Sequence, residues 1–268
     1  MKYILLSTLL VLEIFAYVVK APIVEVNEKM GIAKIEIDKI DVGMSGFIVH
    51  KLSKEHSTIL KSAVVVNYNN ETGVAKLKMS EFNLLQNDAL PKGNWSVEVG
   101  DSAVLAFGYT RAFLLAPNEE VYHKVSRASK SIQWIHPDIF ATILSFNGHP
   151  TPLKEDFEVL ADSVSVGILF FYLDKKVYTL DSKSFKILNI SDAPIEQKST
   201  ELPFYTRVEE IDASWWGEGS SELEEYETHY YELMIKYNKQ NKKLYKIVKN
   251  LDKKNRNLLA GFDIKEEK

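Results

Sequence analysis

The sequence predicts an α+β protein: a small antiparallel β barrel or sandwich, then an α+β subdomain, then a long C-terminal helix of coiled-coil character. Three observations predict it. Short runs of alternating apolar and polar residues dominate to about residue 116, helix-start signals appear from Asn118, and an apolar heptad repeat occupies residues 223–258. With 268 residues and 46% hydrophobic content, the chain is long and apolar enough to fold as one large or two small bodies.

The first residues resemble a signal peptide, predicted to span residues 1–16. Lys2 provides a small positive start, and apolar or hydroxylic residues follow until Glu13 interrupts them. Cleavage after Ala16 is expected, because Ile14 and Ala16 occupy the two recognition positions. The alternative is an uncleaved N-terminal anchor, since the stretch is near the length of a short membrane span. In the first case we expect an exported protein, either periplasmic or associated with the outer membrane at the cell surface.

Residues 22–117 form the predicted β-rich domain. The segment Ala33–Asp38 alternates apolar and polar residues, as a half-buried strand does. Two further apolar runs, 63–68 and 74–79, flank the segment Asn69–Gly73, which has the length and terminal glycine of a hairpin turn. About seven short strands at this spacing indicate a small antiparallel barrel or sandwich.

Residues 118–200 form the predicted α+β subdomain. Asn118 is a typical N-cap residue, and Pro137 and Pro152 mark two further helix starts. Three strands of a meander are expected after these helices. Their predicted bounds are 167–173, 177–180 and 185–188.

Residues 201–220 read as a linker that we call the aromatic strap. Trp215 and Trp216, with Phe204 and Tyr205, form either a ligand platform or a means of docking the strap onto the core. We favour docking, because aromatic side chains in such a segment are more often buried than used as a platform.

Residues 221–260 are predicted to form the heptad helix, followed by a flexible tail over 261–268. Ser221 and Glu224 match a capping box at its start. Apolar residues recur at alternating steps of three and four, which requires another helix or a domain face to pack against. The sequence leaves open whether the helix pairs with another chain or folds back onto its own body. The apolar seam is Leu223, Tyr226, Tyr230, Leu233, Tyr237, Leu244, Ile247, Leu251 and Leu258, with Gln240 and Lys254 as its polar positions.

The charges of this region are separated along the chain. Between Val208 and Thr228 there are eight acids and no Lys or Arg. Between Asn238 and Leu258 there are eight bases against Asp252 alone. The basic half either keeps a long helix soluble, which we favour, or binds an anionic lipid or polysaccharide.

Several classes of function are disfavoured by composition. The net charge of -4 argues against a general nucleic-acid binder. The absence of cysteine excludes disulfides and thiolate metal sites. The six histidines are scattered, and neither a nucleophile elbow nor a phosphate-binding glycine loop occurs. We therefore predict no catalytic residues, metal or cofactor, and a protein that is not an enzyme.

Distinctive strings along roughly residues 22–237 indicate a family. They resemble the N-terminal domain of the PgbA-type plasminogen-binding surface proteins of Gram-negative bacteria. The strings are Ser45–His50, Glu55–Ile59, Phe82–Pro91, Ala116–Tyr122, Trp134–Asp138, Pro152–Phe157 and Pro203–Arg207.

The resemblance implies an exported, non-enzymatic protein that captures host plasminogen through lysines, chiefly a C-terminal one. That residue is Lys268 here, and Lys265 is a secondary candidate. The partner would be the kringle domains of plasminogen, whose aromatic-walled, acid-lined pockets accept such a side chain. The charged C-terminal region is shorter than the family leads us to expect, and the resembling domain is not itself the part that explains lysine-dependent capture.

The alternative function is a periplasmic or envelope scaffold. In that interpretation the C-terminal helix forms a coiled coil, within a homo-oligomer or with another envelope protein. It predicts an assembly that is lost when Leu233 and Leu244 are replaced by charged residues.

Overall fold

A computed structural model describes residues 18–82, 95–251 and 253–264, with the backbone alone for residues 253–256. The predicted signal peptide, residues 1–16, lies outside the described residues. The predicted binding residues Lys265 and Lys268 also lie outside them.

Six strands close into an antiparallel barrel, which is one of the two architectures that the sequence predicts. Their order is β1-β2-β5-β4-β3-β6, and β6 returns to β1, where Val19 pairs with Leu105. Closure leaves no unpaired edge strand. The predicted alternation is confirmed in β2, where Ala33 and Ile35 are fully buried. The strands are β1 (Val19–Asn27), β2 (Ile32–Glu36), β3 (Ser45–Lys51), β4 (Ser57–Asn69), β5 (Val74–Glu81) and β6 (Ser102–Leu105).

A five-stranded sheet with order β11-β10-β9-β7-β8 follows the barrel. The predicted meander is confirmed, since β9, β10 and β11 pair antiparallel. Strand β7 lies parallel to both β8 and β9 and so belongs to the second sheet, although the predicted β-rich domain of 22–117 includes it. The elements are β7 (Arg111–Leu115), α1 (Glu119–Ala128), β8 (Gln133–Ile135), α2 (Pro137–Asn147), α3 (Lys154–Val164), β9 (Ile168–Leu173), β10 (Lys176–Asp181) and β11 (Ile187–Asp192).

The predicted continuous helix over 221–260 is wrong. The chain instead forms α4 (Tyr226–Tyr237), α5 (Lys242–Lys249) and a 3₁₀ segment (Lys253–Gly261). The capping box predicted at Ser221 is also wrong, because α4 starts later, with Glu225 as its N-cap residue.

Asn238 provides the physical reason for the break. Its side-chain amide donates to the carbonyl oxygens of Met234 at 2.8 Å and Phe185 at 3.0 Å, and its Oδ1 accepts from the backbone N–H of Ile187 at 3.0 Å. The side chain therefore ends α4 by bonding to the segment before β11. Asn241 then caps α5, accepting from the backbone N–H of Leu244 at 2.9 Å.

The apolar seam folds back onto the chain's own body. Its members pack into the core beneath the second sheet, either buried or half-buried. Contacts such as Phe171 with Tyr230, whose ring centroids are 5.5 Å apart, join α4 directly to β9. Buried are Tyr226, Tyr230, Leu233, Leu244 and Leu258, and half-buried are Leu223, Tyr237, Ile247 and Leu251.

The second sheet separates two cores, which explains why β9 is buried on both faces. Phe170 and Tyr172 pack into the core that holds the barrel interior and α1. Leu169 and Phe171 pack into the core covered by α2, α3, α4 and α5. Alternate residues of a strand point to opposite faces, so one strand serves both cores.

Candidate functional site

A row of exposed lysines follows the outer side of α5 and the turn before it. We call Lys239, Lys242, Lys246 and Lys249 the lysine face; all four are exposed. Lys242, Lys246 and Lys249 are spaced by four and three residues, so they share one side of the helix. The buried residue Leu244 holds the opposite side against the core, so the lysines point outward.

An open cleft of about 620 Å³ lies where α5 meets the edge of the second sheet. Lys243 and Lys246 line it from the helix, and Asp174 and Asp192 line it from the strands. Lys243 is partly engaged, because its Nζ donates to the carbonyl oxygen of Ile190 at 2.8 Å. The cleft therefore mixes both signs of charge, and Lys246 belongs both to the cleft and to the lysine face.

The described chain ends beside the lysine face. The backbone N–H of Asp263 donates to the carbonyl oxygen of Lys239 at 3.0 Å, and Ile264 packs against the second core. The sequence-predicted residues Lys265 and Lys268 follow directly in sequence. The run of bases in the sequence favours a solubilising face, and sequence alone does not distinguish that role from binding. The burial of Leu244 in the core shows that the side of α5 carrying these lysines faces water.

A pair of acidic residues lies at the start of α4. Burial, followed by the nearby carboxylate of Asp174, raises the pKa of Glu227 to about 7. The hydroxyl of Tyr231 donates to Asp174 Oδ2 at 3.1 Å, and the hydroxyls of Tyr178 and Tyr231 lie 3.0 Å apart. Glu227 therefore gains or loses its proton near neutral pH. Sequence spacing gave no sign of this pair, because Asp174 belongs to a distant turn.

One histidine–aspartate pair is explained by local structure. His149 Nδ1 lies 2.9 Å from Oδ1 of the buried Asp156. The same carboxylate accepts from the side-chain amide of Asn147 and the backbone N–H of Leu153, both at 2.8 Å. Its bonds therefore hold the start of α3 and the loop before it. Among the described residues, no group of three or more His, Asp or Glu side chains is arranged to hold a metal ion.

The structure divides the aromatic residues of the strap into two pairs. Phe204 and Tyr205 are buried, and the ring of Phe204 stacks on that of Phe140 at 5.4 Å. Trp215 and Trp216 are instead 95% and 82% exposed. The docking interpretation is therefore confirmed for the first pair and wrong for the second.

These observations define an α+β protein in which a closed antiparallel barrel is joined to a mixed five-stranded sheet. Each helix among the described residues is too short or too polar to cross a bilayer. The family model described as plasminogen-binding protein pgbA N-terminal matches residues 18–234, and the chain belongs to that family. The matched range ends within α4, so the lysine face lies beyond it.

Two relatives share this region. Both are named plasminogen-binding protein PgbA and come from Helicobacter pylori, strains J99 and 26695. Each is 29% identical to this chain over 205 residues, which is 75% of the chain. The match covers 44% and 43% of the two relatives, so the chain spans less than half of their length. No solved structure matches the chain.

Proposed function

We propose that this chain is an exported, non-enzymatic protein that binds plasminogen. The observation that carries the proposal is the family match, which extends over the barrel, the second sheet and the start of α4. Both Helicobacter pylori relatives are named for plasminogen binding, at 29% identity.

The contact that we propose is made by lysine side chains of this chain. Lys268 is the first candidate and Lys265 the second, as the family resemblance implies, and the lysine face is a third. A kringle pocket would surround the ammonium group with carboxylates and the methylene stem with aromatic rings. Lysines that extend from an anchored helix lose less freedom on binding than lysines in a loose segment, because their backbone is already ordered.

Plasminogen immobilised on a surface tests the proposal. We expect saturable binding of the chain that free lysine competes away. The variant Lys265→Ala/Lys268→Ala is expected to weaken binding about tenfold, or roughly 1.4 kcal/mol. A matched control is Lys51→Ala/Lys54→Ala, which removes two exposed charges from the barrel.

A second variant separates the candidate lysines. If Lys242→Ala/Lys246→Ala weakens binding and Lys265→Ala/Lys268→Ala does not, the contact belongs to the lysine face. Binding that survives both variants and excess free lysine would show that lysine capture is wrong. Protease treatment of intact cells, followed by detection of the C-terminal region, tests surface display separately.

The scaffold alternative requires an apolar helix face that is free to pair with another chain, whereas the described seam packs against the chain's own second core.

A further inference from the structure

The aromatic strap is held to the body at several points along its length. Arg207 Nε donates to Asp138 Oδ2 at 2.8 Å, and the backbone N–H of Ser214 donates to the carbonyl oxygen of Gly148 at 2.9 Å. Near its far end, the carbonyl oxygen of Gly219 accepts from the backbone N–H of Thr151 at 3.1 Å. The exposed side chains of the strap are therefore carried by an ordered backbone.

Two tryptophans stand out from this anchored segment. Trp215 is 95% exposed and Trp216 is 82% exposed. Phe146, which is 92% exposed, lies two residues before Gly148, the residue that binds Ser214. Tryptophan is the side chain with the largest apolar area to bury, and clustered exposed aromatic groups mark interaction surfaces. Large aromatic groups that an anchored backbone holds in water indicate a surface that a partner covers.

A groove of about 270 Å³ lies along the same strap. Leu202, Val208 and Ile211 line it from one limb of the strap, and Leu223 lines it from the segment before α4. Three carboxylates, those of Glu209, Glu210 and Glu222, also line the groove. The groove therefore combines apolar side chains with three carboxylates.

Charge decides which occupant fits. Between Val208 and Thr228 the chain has eight acids and no base, and Glu209, Glu210 and Glu222 are exposed. The preceding base, Arg207, is bound to Asp138. Acidic peptides and anionic lipid surfaces would be repelled. A lysine or arginine side chain places its stem on the apolar lining and its cation among these carboxylates. Further cations of the same segment can stack on the exposed indole rings of the strap.

We propose that the strap groove, with Trp215 and Trp216, is a docking site for an extended lysine- or arginine-rich segment of another protein. The direction of recognition is opposite to that of the proposed function. There, lysines of this chain enter a partner; here, cationic side chains of a partner enter this chain. The two proposals are therefore independent, and either can be wrong without affecting the other.

An acetylated hexalysine amide peptide is the probe, titrated into the full chain by calorimetry and tryptophan fluorescence. We expect saturable binding that weakens as salt rises, since exposed charges are screened. The variant Glu209→Gln/Glu210→Gln/Glu222→Gln is expected to weaken binding about tenfold, and Trp215→Ala/Trp216→Ala to do the same. Because these side chains are exposed, circular dichroism should show unchanged folding.

The matched control is Glu36→Gln/Glu55→Gln/Glu71→Gln, which removes three exposed carboxylates from the barrel. It is expected to leave hexalysine affinity within about twofold of the wild type, because distant exposed charges contribute little in salt. Equal weakening by both triple variants would overturn the proposal, since net charge alone would then explain binding. Undiminished binding by the tryptophan variant would overturn it as well.

Sedimentation of the wild type and the strap variants tests one other occupant, a second copy of this chain. Self-association that the strap triple variant abolishes, without hexalysine binding to the wild type, would assign the groove to that copy and overturn the proposal. A monomer that binds hexalysine supports it. None of these readouts involves plasminogen, so failure of the proposed function would leave the result unchanged.

Discussion

Ser45 Oγ donates to Asp181 Oδ2 at 2.6 Å, which joins β3 of the barrel to the last residue of β10 in the second sheet. The backbone N–H of Ser45 donates to the same oxygen at 3.0 Å, and the hydroxyl of Tyr109 does so at 2.8 Å. The carboxylate is fully buried. Burial, and then the charge of Asp181, raises the pKa of Tyr109 well above its usual value, so this hydroxyl remains a neutral donor. One buried carboxylate thus connects the two bodies.

Replacing this carboxylate should destabilise the whole protein. Asp181→Ala leaves several buried donors without an acceptor, each costing about 1–3 kcal/mol, so we expect a loss of about 3 kcal/mol or more. Tyr109→Phe removes one donor to the charge and should cost about 1.5–3 kcal/mol. Urea unfolding measures both. Asp192→Ala is the control, because that side chain is 82% exposed and its surface pair with Lys176 should contribute no more than about 1 kcal/mol. Similar losses for Asp181 and Asp192 would contradict the assignment.

Asn238 should contribute more to the free energy of unfolding than an ordinary residue between two helices. Asn238→Ala removes the hydrogen bonds to Phe185, Ile187 and Met234, and we expect a loss of about 2–3 kcal/mol in denaturant unfolding. Asn238→Asp keeps an acceptor for Ile187 but places a carboxylate against two carbonyl oxygens, so it should not restore stability. Asn250→Ala, at the exposed end of α5, is the comparison that should change little. Full stability of Asn238→Asp would show that the amide donors are unimportant.

The raised pKa of Glu227 predicts a pH dependence with a definite sign. Because the folded-state pKa is about 7 and the ordinary value is 4.5, the folded state holds the proton more tightly. The stabilising contribution of the protonated group is present below 4.5 and is lost as pH rises through 7. Glu227→Gln keeps the neutral form, so its stability relative to the wild type should increase between acidic and alkaline pH.

Denaturant midpoints at several pH values between these limits measure this effect. Glu224→Gln is the matched control, since it removes an exposed carboxylate three residues before Glu227. A difference between Glu227→Gln and wild type that stays constant with pH would exclude a proton held by Glu227.

Gly148 should control the attachment of the strap. Its φ is +71°, and an added Cβ would lie 2.7 Å from the backbone nitrogen of Ser214. We therefore expect Gly148→Ala to separate the strap from α2 and to increase proteolysis within residues 208–220. Gly100→Ala is the control, because its φ of +99° carries similar backbone strain but nothing lies within 4 Å of the added Cβ. Equal protection of the strap in both variants would contradict this contact.

Local patterns were sufficient for most of the secondary structure. The alternation in β2 and the Asn118 cap depend on neighbouring residues, and both are present: Asn118 Oδ1 accepts from the backbone N–H of Val121 at 2.9 Å. The heptad interpretation found the buried face of the C-terminal region but missed its breaks. Periodicity records which side chains are buried, whereas the end of α4 depends on bonds between Asn238 and residues about fifty positions away.

The candidate sites divide in the same way. Lys265 and Lys268 came from a family resemblance and remain predictions. The exposure of the lysine face could be identified only from the packing of Leu244 in the core. The exposure of Trp215 could be identified only from the path of the strap, because composition does not distinguish it from the buried Phe204.

The sequence by itself determined the family and the alternating pattern of the strands that form the barrel. It also determined the helix starts of the middle region and the apolar face of the C-terminal segment. Each depends on residues close together in the chain. Tertiary structure alone decided that β7 belongs to the second sheet, that Asp181 joins the two bodies, that Asn238 ends a helix, and that the tryptophans of the strap face water. Each of these depends on a buried polar group, or a packed surface, finding its partner far away in sequence.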